Sequence, residues 1–311
     1  MASDPKILFM STWVNNPEFM VMQRDLIRKF CKEPTDFIAV LDGKEIPCFT
    51  NFGDTSMRRR QINCCQGNKI SFLEVPPETH IEPARMALFP NPSDYNINCR
   101  NPPHDPSSRT AVANQYGYNH FLTNLRSKYD YLVMIQSDIF PFCPFSVVEF
   151  LGDKSLLYTK ANSLSDDKTD SLDYAWDGFL MFNFKVDPTI NWSAWNFDSG
   201  FQTRGIFTDT GGGTWKILDT IQKKEGIHNL ARCRWTRADP LFETLPKSIQ
   251  DFVLNDGRNE GDNLACEIKH RSFIHLVGGG NWMFIHNVEE GFKIQTECNK
   301  NFFSLCLKLL V

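Results

Sequence analysis

The stretch Ser127-Lys128-Tyr129-Asp130-Tyr131-Leu132-Val133-Met134-Ile135-Gln136-Ser137-Asp138-Ile139-Phe140-Pro141-Phe142 reads as a buried strand that ends in a polar cluster. Tyr131 to Ile135 form a continuous apolar run, the pattern of a strand covered on both faces, and Asp138 falls where such a strand emerges at its carboxyl end. Open α/β sheets bind their ligands there. An acid at that place can hold a divalent cation, which in turn neutralises a diphosphate. Strand-terminal Asp is also ordinary turn chemistry, and Asp138 alone does not choose between the two.

Working outward, the chain before this stretch predicts a βαβ unit. Lys6 to Thr12 is mostly apolar and reads as a first strand. A helix is expected from Glu18 to Cys31, with Asn16 as a cap and Pro17 in the first turn, where its missing amide would be unpaired anyway. Asp36 to Leu41 is the second strand, and Asp42-Gly43 follows it as either a ligand-facing acid or a turn. Asp54 to Gln66 predicts a polar helix and Lys69 to Val75 a third strand. Pro76 to Pro106 is a long Pro- and Asn-rich excursion, read as a lid or acceptor-side insertion. Ser107 to Lys128 predicts a helix whose apolar stripe holds Ala111, Val112, Tyr118, Phe121, Leu122 and Leu125. Arg109 and Asn114 fall outside that stripe, free to approach a ligand or to face water.

Composition narrows the classes. With 311 residues, 41% of them apolar and 23% charged, the chain can bury a core as one large α/β domain or two small ones. A formal charge of -4 gives no electrostatic case for nucleic acid. Ten cysteines show no CxxC or Cys/His zinc spacing. Neither a signal-peptide pattern at Met1 to Pro5 nor an apolar run of transmembrane length is found. The expectation is a soluble, cytoplasmic protein with free thiols.

After Asp138 the chain predicts a short helix at Phe145 to Leu151, a strand at Ser155 to Lys160, a polar loop at Ser163 to Asp173, and a buried strand from Tyr174 to Phe184 with Asp177-Gly178 at its entrance. Asn191 to Gly200 mixes Trp and Asn as sugar-binding surfaces do, or is a loop pinned by Trp192 and Trp195. In Phe207 to Trp215 three glycines let a ligand approach backbone amides, and Asp209 stands either as a ligand group or as a helix cap. The block Ser272-Phe273-Ile274-His275-Leu276-Val277-Gly278-Gly279-Gly280-Asn281-Trp282 closes the set, and Cys298 to Val311 predicts a terminal segment docked by Phe302, Phe303, Leu305 and Leu309.

Taken together, the Thr12 loop, Asp42, the Arg109 to Asn114 helix, the strand ending in Gln136-Ser137-Asp138 and the His275 block resemble the nucleotide-sugar glycosyltransferases of the GT-A fold. That resemblance implies a Rossmann-like α/β architecture: a mixed, mainly parallel sheet flanked by helices, in one domain over residues 1–311. It also implies a nucleotide-sugar half at 6–150 and an acceptor half at 151–311. The usual Asp-x-Asp metal motif has Gln136 in place of its first acid; Asp138 and His275 become the ligands of Mn2+ or Mg2+. The nucleotide-sugar would be bound by Thr12, Asp42, Arg109, Asn114, Ser137, Asp138, Gly278, Asn281 and Trp282. Asn281 stands where the resembling families carry Lys-Pro. Asp177 and Asp209 are the catalytic candidates, facing a glycan or other hydroxyl acceptor.

Two alternatives remain open in the sequence. A sugar nucleotidyltransferase wants a glycine-rich basic loop after its first strand, which Thr12 to Pro17 does not provide. A catalytically silent binder of glycans or nucleotide-sugars is suggested by Gln136.

Overall fold

The computed structural model describes residues 4–42, 57–76, 79, 106–165, 167–201, 206–222, 227–230, 233–236, 242–259, 263–276 and 288–311. Its strands are β1 (Ile7–Trp13), β2 (Thr35–Leu41), β3 (Ser71–Glu74), β4 (Tyr131–Gln136), β5 (Ile139–Pro141), β6 (Leu156–Leu164), β7 (Ser171–Asn183), β8 (Gly200–Phe201), β9 (Phe207–Thr208), β10 (Ile227–Leu230), β11 (Cys233–Thr236), β12 (Asn263–Lys269) and β13 (Phe273–Leu276). The α-helices are α1 (Pro17–Phe30), α2 (Met57–Gly67), α3 (Pro106–His120), α4 (Val147–Leu151), α5 (Trp215–Gln222), α6 (Lys247–Leu254) and α7 (Val288–Leu310).

The main sheet has seven strands in the order β10-β6-β7-β4-β1-β2-β3. All pairings are parallel except those of β7, which runs against both β4 and β6. This is the expected mainly parallel sheet. It is covered on both faces, which is why β1 and β4 are apolar along almost their whole length. One face carries Phe9, Trp13 and Val133 into a core shared with α1, α4 and the C-terminal helix α7. The other carries Leu8, Met10 and Met134 against α3, Trp192 and Trp195.

A second sheet, β11-β12-β13-β5, joins the first through the two-residue turn Ser137-Asp138 between β4 and β5. That turn is held from beneath by α1, where Gln23 Nε2 donates to the carbonyls of both Gln136 and Ile139 at 2.8 Å.

Several local expectations are corrected. Asn16 adopts a left-handed conformation (φ 50°) and makes no side-chain cap, although Pro17 opens α1 as expected. The α3 helix passes into a π-turn at Phe121–Leu125, ahead of the predicted end at Lys128. Much of the loop expected at Ser163 to Asp173 is strand, with Ser163 paired to Leu172 and Leu164 to Ser171 across a hairpin. Trp192 and Trp195 are buried on Phe182 at 5.5 and 4.9 Å between ring centroids, so they pin the loop and do not form an exposed sugar platform. The terminal segment is the end of a longer helix, with Phe302 fully buried. Seven cysteines among the described residues are free thiols, and among those residues no helix is long and apolar enough to cross a membrane.

Candidate active site

The carboxyl ends of β1, β2 and β4 bring three polar groups together. The first is built on β7, where Asp177 lies inside the strand and not at its entrance. Between Tyr158 and Thr159 of β6 the register on β7 jumps from Leu180 to Trp176, so Asp177, Gly178 and Phe179 form a bulge. Bulges re-aim side chains beside functional sites. Here a Cβ on Gly178 would overlap the ring of Trp176. Glycine lets that ring fold flat along the strand while Asp177 turns to the opposite face.

Asp177 is 1% exposed and is met by amides. Asn114 Nδ2 donates to its Oδ2 at 2.5 Å, and Gln136 Nε2 donates to both oxygens at 3.2 Å. Thr12 Oγ1 donates to Asn114 Oδ1 at 2.5 Å, which fixes the orientation of that amide. Burial, with the charges of Asp209 and Asp138 adding to it and the Gln136 bond opposing, pushes the Asp177 carboxyl up to about 8. Asp209 is exposed, and its Oδ1 accepts the Thr210 amide at 2.7 Å.

The second group spans the two sheets. β13 pairs antiparallel with β5, placing His275 opposite Ile139, and Leu276 N donates to the Asp138 carbonyl at 2.9 Å. That register brings His275 Nε2 to 3.6 Å from Asp138 Oδ2. The other ring nitrogen, Nδ1, donates to Glu267 Oε2 at 2.9 Å, and Lys269 Nζ donates to the same oxygen at 3.2 Å. Trp176 closes the cluster, its ring 5.2 Å from His275 and 4.4 Å from the Lys269 ammonium. Burial opposes charge on the imidazole, but the carboxylates of Asp138 and Glu267 outweigh it and raise its pKa.

The third group is an ion pair between Arg109 on α3 and Asp42 after β2. Arg109 Nε donates to Asp42 Oδ2 at 2.7 Å, and the two side chains are 3% and 1% exposed.

Thr12, Asn114 and Asp177 thus share one bonded network, Asp42 and Arg109 another, and Asp138 and His275 a third; Ser137 is half-buried in the turn between them. Gly278, Asn281 and Trp282 lie outside the described residues. The three glycines before α5 have their amides engaged within the loop, by the carbonyls of Phe197, Asp209 and Asp198, and serve close packing where a ligand was expected. A Cβ on Gly211 (φ 95°) would overlap the Ala175 carbonyl.

The residues at the turn fit a divalent cation. Asp138 Oδ1 is buried with no hydrogen-bond partner among the described residues. His275 presents Nε2 on the same side, its tautomer set by the carboxylate behind it, as is usual for metal-binding imidazoles. Among the described residues no group of three or more His, Cys, Asp or Glu could hold a metal by itself. A cation here would take one oxygen and one nitrogen from the protein and the rest of its shell from a bound ligand and water.

Sequence reasoning missed Glu267 and Lys269. Their signal was present: two opposite charges two residues apart, after the apolar Leu264 to Cys266, fall on one face of the Asn263–Lys269 strand.

No family model and no curated protein matches the chain. Among solved structures it is similar to core-mannan synthase A from Aspergillus fumigatus in its Mn/GDP form, at 14% identity over 73% of each chain with a TM-score of 0.39. It is also similar to the mannosyltransferase Ktr4p from S. cerevisiae, at 11% identity over 58% of this chain and 56% of that one, TM-score 0.36. For mouse xyloside xylosyltransferase 1 the identity is 8% over 78% and 91%, with a TM-score of 0.34. The chain spans little more than half of the yeast enzyme it matches. At these values the likeness carries no argument about activity, which has to come from the side chains.

Proposed function

We propose that this chain is a glycosyltransferase that moves a sugar from a nucleoside-diphosphate donor to a hydroxyl acceptor, assisted by Mn2+ or Mg2+. The observation that carries the reading is the meeting of Asp138 and His275, from distant parts of the sequence, beside a buried carboxyl whose pKa is raised to near neutrality. The site lies where the strand order reverses: β2 is on one side of β1 and β4 on the other, the place at which open α/β sheets receive nucleotides.

In this reading Asp138 and His275 Nε2 hold the cation, and Glu267 keeps the imidazole aimed. The cation, when bound, stabilises the negative charge that develops on the departing diphosphate. The nucleotide lies over the ends of β1 and β2, against Ser137 and the Asp42–Arg109 pair, with Gly278, Asn281 and Trp282 assigned to the same donor. Asp177 takes the proton from the acceptor hydroxyl. Its raised pKa makes it a stronger base than an ordinary carboxylate once deprotonated near pH 8. Asp209, exposed and close enough to influence Asp177, is assigned to binding the acceptor.

The test is transfer and hydrolysis of a panel of UDP- and GDP-sugars with Mn2+ and with EDTA. Turnover that needs Mn2+ and disappears in Asp138→Asn supports the reading. Thermal stabilisation by a nucleotide-sugar without turnover would instead indicate a silent binding protein; a ligand at 100 times its Kd adds about 2.7 kcal/mol.

A further inference from the structure

Gln136 occupies the position at which the resembling families carry the first acid of a metal motif, yet its side chain is engaged elsewhere. Its Nε2 reaches across to β7 and meets both oxygens of Asp177 at 3.2 Å. From the helix side Asn114 Nδ2 meets Oδ2 at 2.5 Å, and Thr12, the register partner of Gln136 on β1, fixes that amide. Two elements, α3 and β4, thus meet one carboxyl group of β7 through neutral donors, with β1 supporting the first of them. We propose that Gln136 is a positioning residue for Asp177, one jaw of a two-amide clamp whose other jaw is Asn114 held by Thr12, and that position 136 is not part of the cation shell.

An amide and a carboxylate have the same shape, but only the amide can donate. A carboxylate at 136 would remove that donor from a buried acid and would add a third like charge to those of Asp209 and Asp138. A carboxylate at 136 could serve as a metal ligand only by giving up the donor that holds Asp177, so an acid there and a clamped Asp177 are mutually exclusive. The backbone of Gln136 is anchored independently through its carbonyl to Gln23, so the side chain can be changed without releasing the turn.

The proposal rests on the glycosyltransferase reading for its catalytic consequence, but not for its physical one, and the experiment separates them. In the full chain, Gln136→Glu and Gln136→Asp are compared with wild type by Mn2+ titration with electron paramagnetic resonance, by 13C NMR of the Asp177 carboxyl against pH, and by kcat and donor KM. The clamp predicts Mn2+ affinity within about threefold of wild type, an upward shift of the Asp177 titration in Gln136→Glu, and a fall in kcat of at least tenfold with donor KM little changed. Gln136→Asn, which keeps the amide on a shorter stem, recovers part of the rate. Tenfold tighter Mn2+ binding in either acidic variant, or an Asp177 titration that does not move, overturns the clamp. If wild type turns over no nucleotide-sugar while the NMR shift occurs, the clamp stands and the assigned reaction falls.

Discussion

Two carboxyl groups, Asp42 and Asp177, are both buried and lie at the same edge of one sheet, yet they are satisfied in opposite ways. Asp42 meets a guanidinium, a charged partner that balances it. Asp177 meets only amides, which offer hydrogen bonds but no compensating charge, and two further carboxylates act on it from Asp209 and Asp138. A buried carboxylate with a counter-charge stays ionised, whereas Asp177, which has none, is pushed up by burial to about 8 although the Gln136 bond opposes the shift. Partner charge, not burial, separates the paired carboxylate from the one proposed above as the working group.

The largest expected effect breaks the working side. Asp177→Asn lowers kcat about 10²- to 10⁴-fold while nucleotide affinity, read by calorimetry, stays near wild type. The same variant sharpens the contrast through pH. Because the folded pKa of Asp177 lies above the ordinary carboxylate range, its contribution to stability is intact at pH 4 and lost as pH rises through about 8. Asp177→Asn should therefore gain in Tm relative to wild type as pH is raised from 4 to 9; a constant difference would mean that the group is not held protonated. Breaking the supporting side acts on stability: Asp42→Ala removes the carboxylate facing a guanidinium that is 3% exposed and costs about 3–5 kcal/mol in urea unfolding. Glu267→Gln tests the imidazole in the same terms, replacing a charged orienting group by a neutral one, and should weaken Mn2+ binding about 10- to 100-fold by calorimetry. The smallest effect is steric. Gly178→Ala forces the Trp176 ring off the bulge at a cost of about 1–3 kcal/mol, visible as a lower Tm and an altered near-UV signal.

Much of this architecture was legible in the sequence because it depends on local pattern. The apolar runs at Tyr131 to Ile135 and Tyr174 to Phe184 announced buried strands, and the polar residues that follow the first marked the turn where Asp138 and His275 meet. His275 could be associated with Asp138 from the order of motifs, though the reason they meet is the pairing of β13 with β5, a long-range register that no local pattern encodes. The partners of Asp177 were hidden for the same reason. Thr12 and Asn114 looked like ligand-facing groups because a polar residue near a strand end or off a helical stripe reads as exposed. Whether it meets solvent, substrate or another side chain is decided by elements far away in the chain. Trp192 and Trp195 show the converse: a mixture with Asn suggested a carbohydrate surface, but the large apolar area of two indoles was taken up by Phe182.

The two-residue link Ser137-Asp138 has a consequence for how the molecule can change over time. The imidazole and Glu267 belong to the small sheet and the clamped acid to the large one, and that link, together with the packing of Trp176 on His275 and Lys269, sets the separation of these two corners. Drift in the outer strands can alter either surface without disturbing the other. A single insertion inside the link would put the two corners out of step at once, so it is there that the length of the chain is least negotiable.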